Sequence, residues 1–99
     1  MTQVGQSDLR ATLAFADVAW GTRLDVTCTY RLVPYAQGTP PSYALVVRTR
    51  DGGVQQVATW RAVRGGTMTV TAATASRRSD IVSVEVQTLA GDAVLKLTT

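Results

Sequence analysis

The chain has 99 residues, a formal net charge of +3 and no histidine. A chain of this length is the size of one domain and buries roughly 60–65% of its unfolded surface. Without histidine, zinc sites of the Cys/His type and Ser-His-Asp or Cys-His nucleophile arrangements are excluded within this chain. No apolar run approaches the roughly 20 residues of a membrane span, and the first residues, MTQVGQSDL, are too polar for a signal peptide.

The basic residues do not indicate a nucleic-acid partner. Only Lys96 is a lysine, so nine of the ten basic residues are arginines. They are spread along the chain, whereas nucleic-acid binders usually cluster basic residues beside exposed aromatic rings. We therefore expect no nucleic-acid partner.

The first two elements in chain order are strands with period-two alternation, which indicates one buried and one wet face. The run 9–16 follows a polar tail, 1–8, that we expect to be disordered, and Trp20-Gly21 marks the corner before the run 22–33. The first run places inward Leu9, Ala11, Leu13 and Phe15. The second run places inward Leu24, Val26, Cys28, Tyr30 and Leu32.

A loop and a hairpin come next. Residues 34–41, PYAQGTPP, are too rich in proline for a central strand. Two alternating runs then meet at Asp51-Gly52, which predicts a two-residue type I′ turn that pairs Tyr43 with Trp60, Leu45 with Ala58 and Val47 with Gln56. One face then carries Tyr43, Leu45, Val47, Val54, Ala58 and Trp60. The other face carries Val46, Arg48, Arg50, Gln55, Val57, Thr59 and Arg61.

Three more strands follow, over 65–74, 81–88 and 94–98, with a polar connector, ASRRSD, that has room for one helical turn. Their inward residues are expected to be Met68, Val70, Ala72, Val82, Val84, Val86, Leu95 and Leu97. Seven short strands with turn signals every 8–12 residues are typical of an all-β, immunoglobulin- or fibronectin-like antiparallel sandwich over 9–99. A small barrel is the alternative.

The candidate sites are few. Cys28 is expected to be a buried thiol that packs as a small hydrophobe. Trp20 and Trp60 are expected in the core; exposed, either ring would suit contact with a sugar or a protein partner. No carboxylate pair resembles an acid/base couple and no glycine-rich phosphate loop is present, so we expect no catalysis, no cofactor and no metal.

One surface is singled out as a candidate partner surface. It comprises Arg48, Arg50 and Arg61 on the outer face of the hairpin, with Trp60 anchoring the hairpin to the core. The expected partner is an acidic envelope protein or a cell-envelope polymer. The alternative is a solvated sheet face whose charges discourage edge pairing.

Four phrases resemble a known family: WGTRLDVTCTY, SYALVVRTRDGGVQQVATWRAV, GGTMTVTAATASRRSDIVSVEV and LAGDAVLKL. They are similar to the extracytoplasmic C-terminal domain of actinobacterial membrane-anchored anti-sigma factors of the zinc type. The resemblance covers nearly all of residues 9–97, and the hairpin phrase is the most specific.

The resemblance implies that the chain is a fragment of a regulator with a cytoplasmic zinc-type anti-sigma domain and one membrane helix. This domain would then lie outside the membrane as a sensory or interaction module, or as a stabilising cap. The sigma factor would be bound only by the missing cytoplasmic part, since no CxxC or histidine is present here to carry over. The alternative is a fibronectin-like binding or spacer module of a secreted protein or carbohydrate-active enzyme; a small hydrolase is disfavoured.

Overall fold

The computed structural model describes residues 2–3, 9–30, 42–61 and 67–98. Within these ranges the chain forms eight antiparallel strands and one 3₁₀ helix, Arg78–Asp80. The strands are β1 Thr2–Gln3, β2 Leu9–Val18, β3 Gly21–Tyr30, β4 Ser42–Thr49, β5 Val54–Arg61, β6 Thr67–Thr74, β7 Ile81–Thr88 and β8 Ala93–Thr98. The all-β prediction is confirmed, and the helical turn lies in the predicted polar connector.

The strands form two sheets that share one core. One sheet has the order β1-β8-β7-β4-β5 and the other the order β2-β3-β6. The chain builds β2 and β3 in the small sheet, crosses to β4 and β5, returns for β6 and crosses again to β7 and β8. Both sheets contribute buried side chains to a single cluster, so the arrangement is a sandwich.

The core follows the predicted alternation most closely in β3. Leu24, Val26 and Cys28 are fully buried, whereas Arg23 and Thr29 are exposed. The large sheet contributes the buried residues Tyr43, Leu45, Val47, Trp60, Ile81, Val84, Val86 and Leu95. The rings of Tyr43 and Trp60 pack with centroids 6.1 Å apart, which confirms Trp60 as a core residue.

The β4–β5 turn differs from the prediction. Thr49 N–H donates to Gly53 O and Gly52 N–H donates to Thr49 O, both at 3.0 Å, so the loop has three residues, Arg50–Gly52. A type I′ turn would need a positive φ at Asp51, and no described residue other than glycine has one. Gly52, at φ +87°, takes the left-handed position instead. The Asp51 carboxylate accepts hydrogen bonds from Gly53 N–H and from the Thr49 hydroxyl, which hold the loop in this form.

The longer loop changes the register of β5 near the turn. Tyr43 pairs with Trp60 as predicted, but beyond Leu45 the register shifts at a β-bulge. Val47 therefore pairs with Gln55 rather than with Gln56. A shift of one residue exchanges the two faces of a strand. The inward position predicted for Val54 and the outward one predicted for Gln55 are thus both wrong, and Val54 is 58% exposed.

A second register shift occurs in β7. Thr49 pairs with Ile81 and Arg48 with Ser83, so Val82 is the extra residue at the bulge. Ile81 is buried and Val82 is exposed, which corrects the predicted inward position of Val82.

The structure describes only some of the residues of the predicted tail and loop. Thr2–Gln3, in the predicted tail, pairs with Lys96 and Leu95 of β8. The rest of the tail, 4–8, and the proline-rich loop, 34–41, lie outside the described residues, as does Leu32. The domain boundary at residue 9 stays a prediction.

The two faces of β3 generate a stability prediction. Val26→Ala removes two methyl groups from the centre of the core, and we expect it to cost roughly 1–3 kcal/mol of unfolding free energy. Thr27→Ala, one residue along on the outer face, should cost less than about 0.5 kcal/mol. Urea denaturation of the two variants measures both, and equal costs would contradict the inward placement of Val26.

The β4–β5 loop generates a pH prediction. The hydrogen bonds from the Thr49 hydroxyl and from Gly53 N–H lower the pKa of Asp51 below its ordinary value of 3.8. A lowered folded-state pKa stabilises the fold above the unfolded value, and this contribution disappears as the pH falls through the folded value. Asp51→Ala should therefore lower the urea midpoint at pH 7 more than at pH 3. Asp92→Ala, which removes an exposed carboxylate near the β7–β8 turn, is the control for general charge effects, and an equal loss at both pH values would contradict the role of the Asp51 charge.

Candidate functional site

The structure does not bring the predicted partner surface together. Arg48 lies on the outer face of β4, Arg50 lies in the β4–β5 loop, and Arg61 ends β5. Because Arg61 pairs with Ser42, six residues before Arg48 on the neighbouring strand, the two arginines are separated by about 20 Å along the sheet. Trp60 points to the opposite, inner side and is only 8% exposed.

Arg48 is engaged in an internal ion pair. Its Nε lies 2.5 Å from Oε2 of Glu85, and Gln87 Nε2 lies 3.4 Å from the same oxygen. Glu85 lies on the outer face of β7, between the inward Val84 and Val86, yet it is only 6% exposed. A carboxylate with so little exposure to water needs a close cation. Arg48 therefore pairs with Glu85 in preference to an outside partner.

The described residues also contain a cleft at one end of the sandwich, where three connections meet. These are the β2–β3 turn at Ala19 and Trp20, the β4–β5 loop, and the β6–β7 connection over residues 75–80. The cleft has a volume of about 820 Å³. Its polar and aromatic lining consists of Asp17, Trp20, Arg50, Arg77, Arg78 and Ser79. We call this feature the end cleft.

Trp20 is the residue of the end cleft whose burial differs most from the prediction. It was predicted in the core, yet it is 58% exposed. It lies in the two-residue turn between Val18 and Gly21, where the alternation of β2 and β3 stops, so it belongs to neither face. Gly21, at φ +152°, sits against β6: a Cβ there would lie 2.1 Å from the Thr74 carbonyl oxygen. Only glycine allows this approach, which seats the turn beside the β6–β7 connection.

The β6–β7 connection is held by side chains from both sheets. The Thr22 hydroxyl donates to Ser76 O at 2.9 Å, and Gln55 Nε2 donates to Ser76 Oγ at 3.2 Å. The Thr74 hydroxyl donates to Gln55 Oε1 and accepts from Ser76 N–H at 3.1 Å. These hydrogen bonds form a ring that fixes the β6–β7 connection at Ser76. Gln55 takes part only because the β5 bulge turned it inward.

Two of the three arginines in the end cleft are also held in place. Arg50 N–H donates to Asp80 O at 3.0 Å, and Arg50 Nε donates to Ser79 O at 2.7 Å. The guanidinium of Arg78 lies 3.7 Å from the centre of the Phe15 ring, a cation–π contact. Among the lining residues, three guanidinium groups face one carboxylate, that of Asp17. The end cleft is therefore a positively charged concavity with one exposed indole.

Within the described ranges, no group of three or more His, Cys, Asp or Glu residues could hold a metal ion. No helix within these ranges is long and apolar enough to cross a bilayer.

Comparison with curated proteins finds one kind of relative. The chain is 34% identical over 86 residues, 87% of its length, to "Anti-sigma-L factor RslA" of Mycobacterium tuberculosis, and the match is the same for strains Erdman, CDC 1551 and H37Rv. It spans only 34% of the length of these relatives. No family model and no solved structure matches. The chain is thus homologous to a part of an anti-sigma factor, which confirms the resemblance predicted from its phrases.

The Arg48–Glu85 pair generates a stability prediction. Arg48→Ala removes the ion-pair partner of a covered carboxylate and leaves the Gln87 amide beside it and Lys96 opposite it on β8. We expect a loss of about 1–2 kcal/mol, less than for a fully buried pair because Arg48 is 45% exposed. Arg61→Ala, an exposed arginine on the same sheet, is the control and should change stability by less than about 0.5 kcal/mol. In a double-mutant cycle, Glu85→Gln should cost less after Arg48→Ala than alone. Additive costs would show that the pair is not coupled.

Proposed function

We propose that this chain is a non-catalytic, extracytoplasmic module of a membrane-anchored anti-sigma factor, in which it senses an envelope signal or binds an envelope partner. The observation that carries the proposal is the homology of 87% of the chain to a part of an anti-sigma factor. The relatives are regulators by name, which supports a non-catalytic role. The membrane anchor and the outer location rest on the predicted resemblance.

The strand order supports a binding module of the immunoglobulin-like class. In the strand lettering of those sandwiches, β2, β3 and β6 correspond to A, B and E, and β8, β7, β4 and β5 correspond to G, F, C and C′. We infer a fibronectin-like sandwich from this order. Many cell-surface domains share the architecture, although function resides in sites and not in the fold. The same order also suits the alternative, a spacer or binding module of a secreted protein.

The residues present in the chain indicate which part of the regulator inhibits the sigma factor. A zinc-type anti-sigma domain needs cysteine and histidine ligands, and this sequence has one cysteine and no histidine. Its only helix within the described residues has three residues, too short to wrap a sigma factor. We therefore propose that sigma inhibition belongs to another part of the regulator and that this domain adjusts its response.

The neighbouring sequence in the gene separates the two alternatives. An upstream apolar segment of about 20 residues, preceded by a His-x₃-Cys-x₂-Cys pattern, supports the anti-sigma factor. A signal peptide and a catalytic domain would support the secreted module instead.

A reporter strain tests the proposed role. The regulator lacking residues 9–97 is expected to keep the sigma-dependent reporter silent without stress but to alter its response to envelope stress. Replacing the same residues with an unrelated sandwich of similar size controls for spacing, and immunoblotting controls for protein level. Constitutive reporter activity at normal protein level would show that the domain is needed for inhibition itself, and an unchanged stress response would show that it is only a structural cap; either outcome contradicts the proposal.

A further inference from the structure

We propose that the end cleft is a binding site for a carboxylate-bearing saccharide. The site combines one exposed indole, Trp20, with the guanidinium groups of Arg50, Arg77 and Arg78. It deepens the interaction role proposed above by naming a site and a ligand class. It differs from the predicted partner surface in all but Arg50.

The site is built before a ligand binds. The ring of hydrogen bonds around Ser76 fixes the connection that carries Arg77 and Arg78. The Phe15 ring holds the guanidinium of Arg78, and Ser79 O holds Nε of Arg50. The terminal nitrogens of Arg50 make no hydrogen bond or ion pair within the described residues. Side chains that are already ordered lose little entropy on binding, so their hydrogen bonds contribute more to affinity.

The charge of the site selects an anion. Three guanidinium groups against the single carboxylate of Asp17 leave a net charge of +2 among the lining side chains. A guanidinium is a planar fork that binds a carboxylate through two parallel hydrogen bonds, and it keeps its charge at any physiological pH. Asp17 adds an acceptor that suits a hydroxyl donor on the same ligand.

The indole selects a flat, partly apolar ligand surface. An exposed tryptophan offers a rigid apolar face and one N–H donor at its edge. A pyranose ring has a face made of C–H groups that stacks on such a surface while its hydroxyls stay hydrated. A sugar that also carries a carboxylate would use Trp20 and the arginines together.

The size of the cleft favours a saccharide over an acidic protein. About 820 Å³ lies in the range of small-ligand pockets, roughly 300–1,000 Å³. A stable protein interface needs about 800 Å² from each partner around an apolar centre. The other large exposed apolar side chains among the described residues, Val54, Val82 and Leu89, do not line the end cleft. One ring surrounded by charge fits one or two sugar units better than a protein surface.

The test is a titration of the chain with a galacturonic acid trisaccharide, followed by calorimetry and tryptophan fluorescence. We expect binding in the micromolar to millimolar range that weakens with salt, because exposed charges contribute. Trp20→Ala, and separately the double change Arg77→Gln and Arg78→Gln, should each weaken binding by at least about tenfold. Leu89→Ala and Arg61→Gln remove a matched exposed side chain away from the end cleft and should change affinity by less than about twofold. Melting curves verify that the variants are folded, which is expected because Trp20 is exposed.

Two further ligands sharpen the outcome. The methyl-esterified trisaccharide keeps the rings but loses the charge, and a glutamate tripeptide keeps the charge but lacks the rings; both should bind at least about tenfold more weakly than the acid trisaccharide. Equal binding of the glutamate peptide would assign the site to acidic peptides. Equal binding of the ester would show that the arginines do not recognise the carboxylate; either outcome contradicts the proposal. No binding of the acid trisaccharide at millimolar concentration, or equal effects of the control variants, would overturn the proposal. None of these results depends on the reporter strain, so this inference and the proposed function can fail separately.

Discussion

The hydrogen-bonded ring around Ser76 is the constraint on which the end of the sandwich depends. It is where the chain leaves the small sheet for the large one, and Thr22 from one sheet and Gln55 from the other both hold it. Gln55 reaches the ring only because of the β5 bulge, and the bulge follows a loop that places its left-handed residue at Gly52. The loop, the bulge and the cleft are therefore one connected arrangement, and changing the loop length would move Gln55 away from Ser76.

The regular part of this fold could be predicted from the sequence because period-two alternation states which face is buried. Val26 and Cys28 illustrate this, since each lies between two polar residues on a strand without irregularities. The bulges could not be predicted. The bulge in β7 inserts one residue without interrupting the alternation of valines at 82, 84 and 86, so the sequence pattern does not distinguish Val82 from Val84. Asp51-Gly52 correctly indicated the position of the turn but not the length of the loop. The same dipeptide occurs in a two-residue turn and in the last two positions of a three-residue loop.

The candidate site was harder to predict for a physical reason. Whether an arginine is available to a partner depends on which carboxylate lies across the sheet, and Glu85 is 37 residues from Arg48 in the chain. Tryptophan is usually assigned to the core because it buries a large area, and this holds for Trp60. Trp20 escapes the rule because it lies in a turn, and its position directly before Gly21 was the available indication. The homology to an anti-sigma factor came from the resemblance of whole phrases and not from the chemistry of individual residues.

The direction of β2 has a mechanical consequence. β2 begins at Leu9, at the opposite end of the sandwich from the end cleft, and reaches the Trp20 turn after ten residues, about 30 Å. With an anchor on the N-terminal side, as proposed, a ligand held at Trp20 would pull on the two ends of this one strand. A strand is already close to the full extension of its backbone, so tension would pass along covalent bonds and not through the hydrogen bonds to β3. The segment from Leu9 to Trp20 would then behave as a stiff link that carries the load along its own backbone.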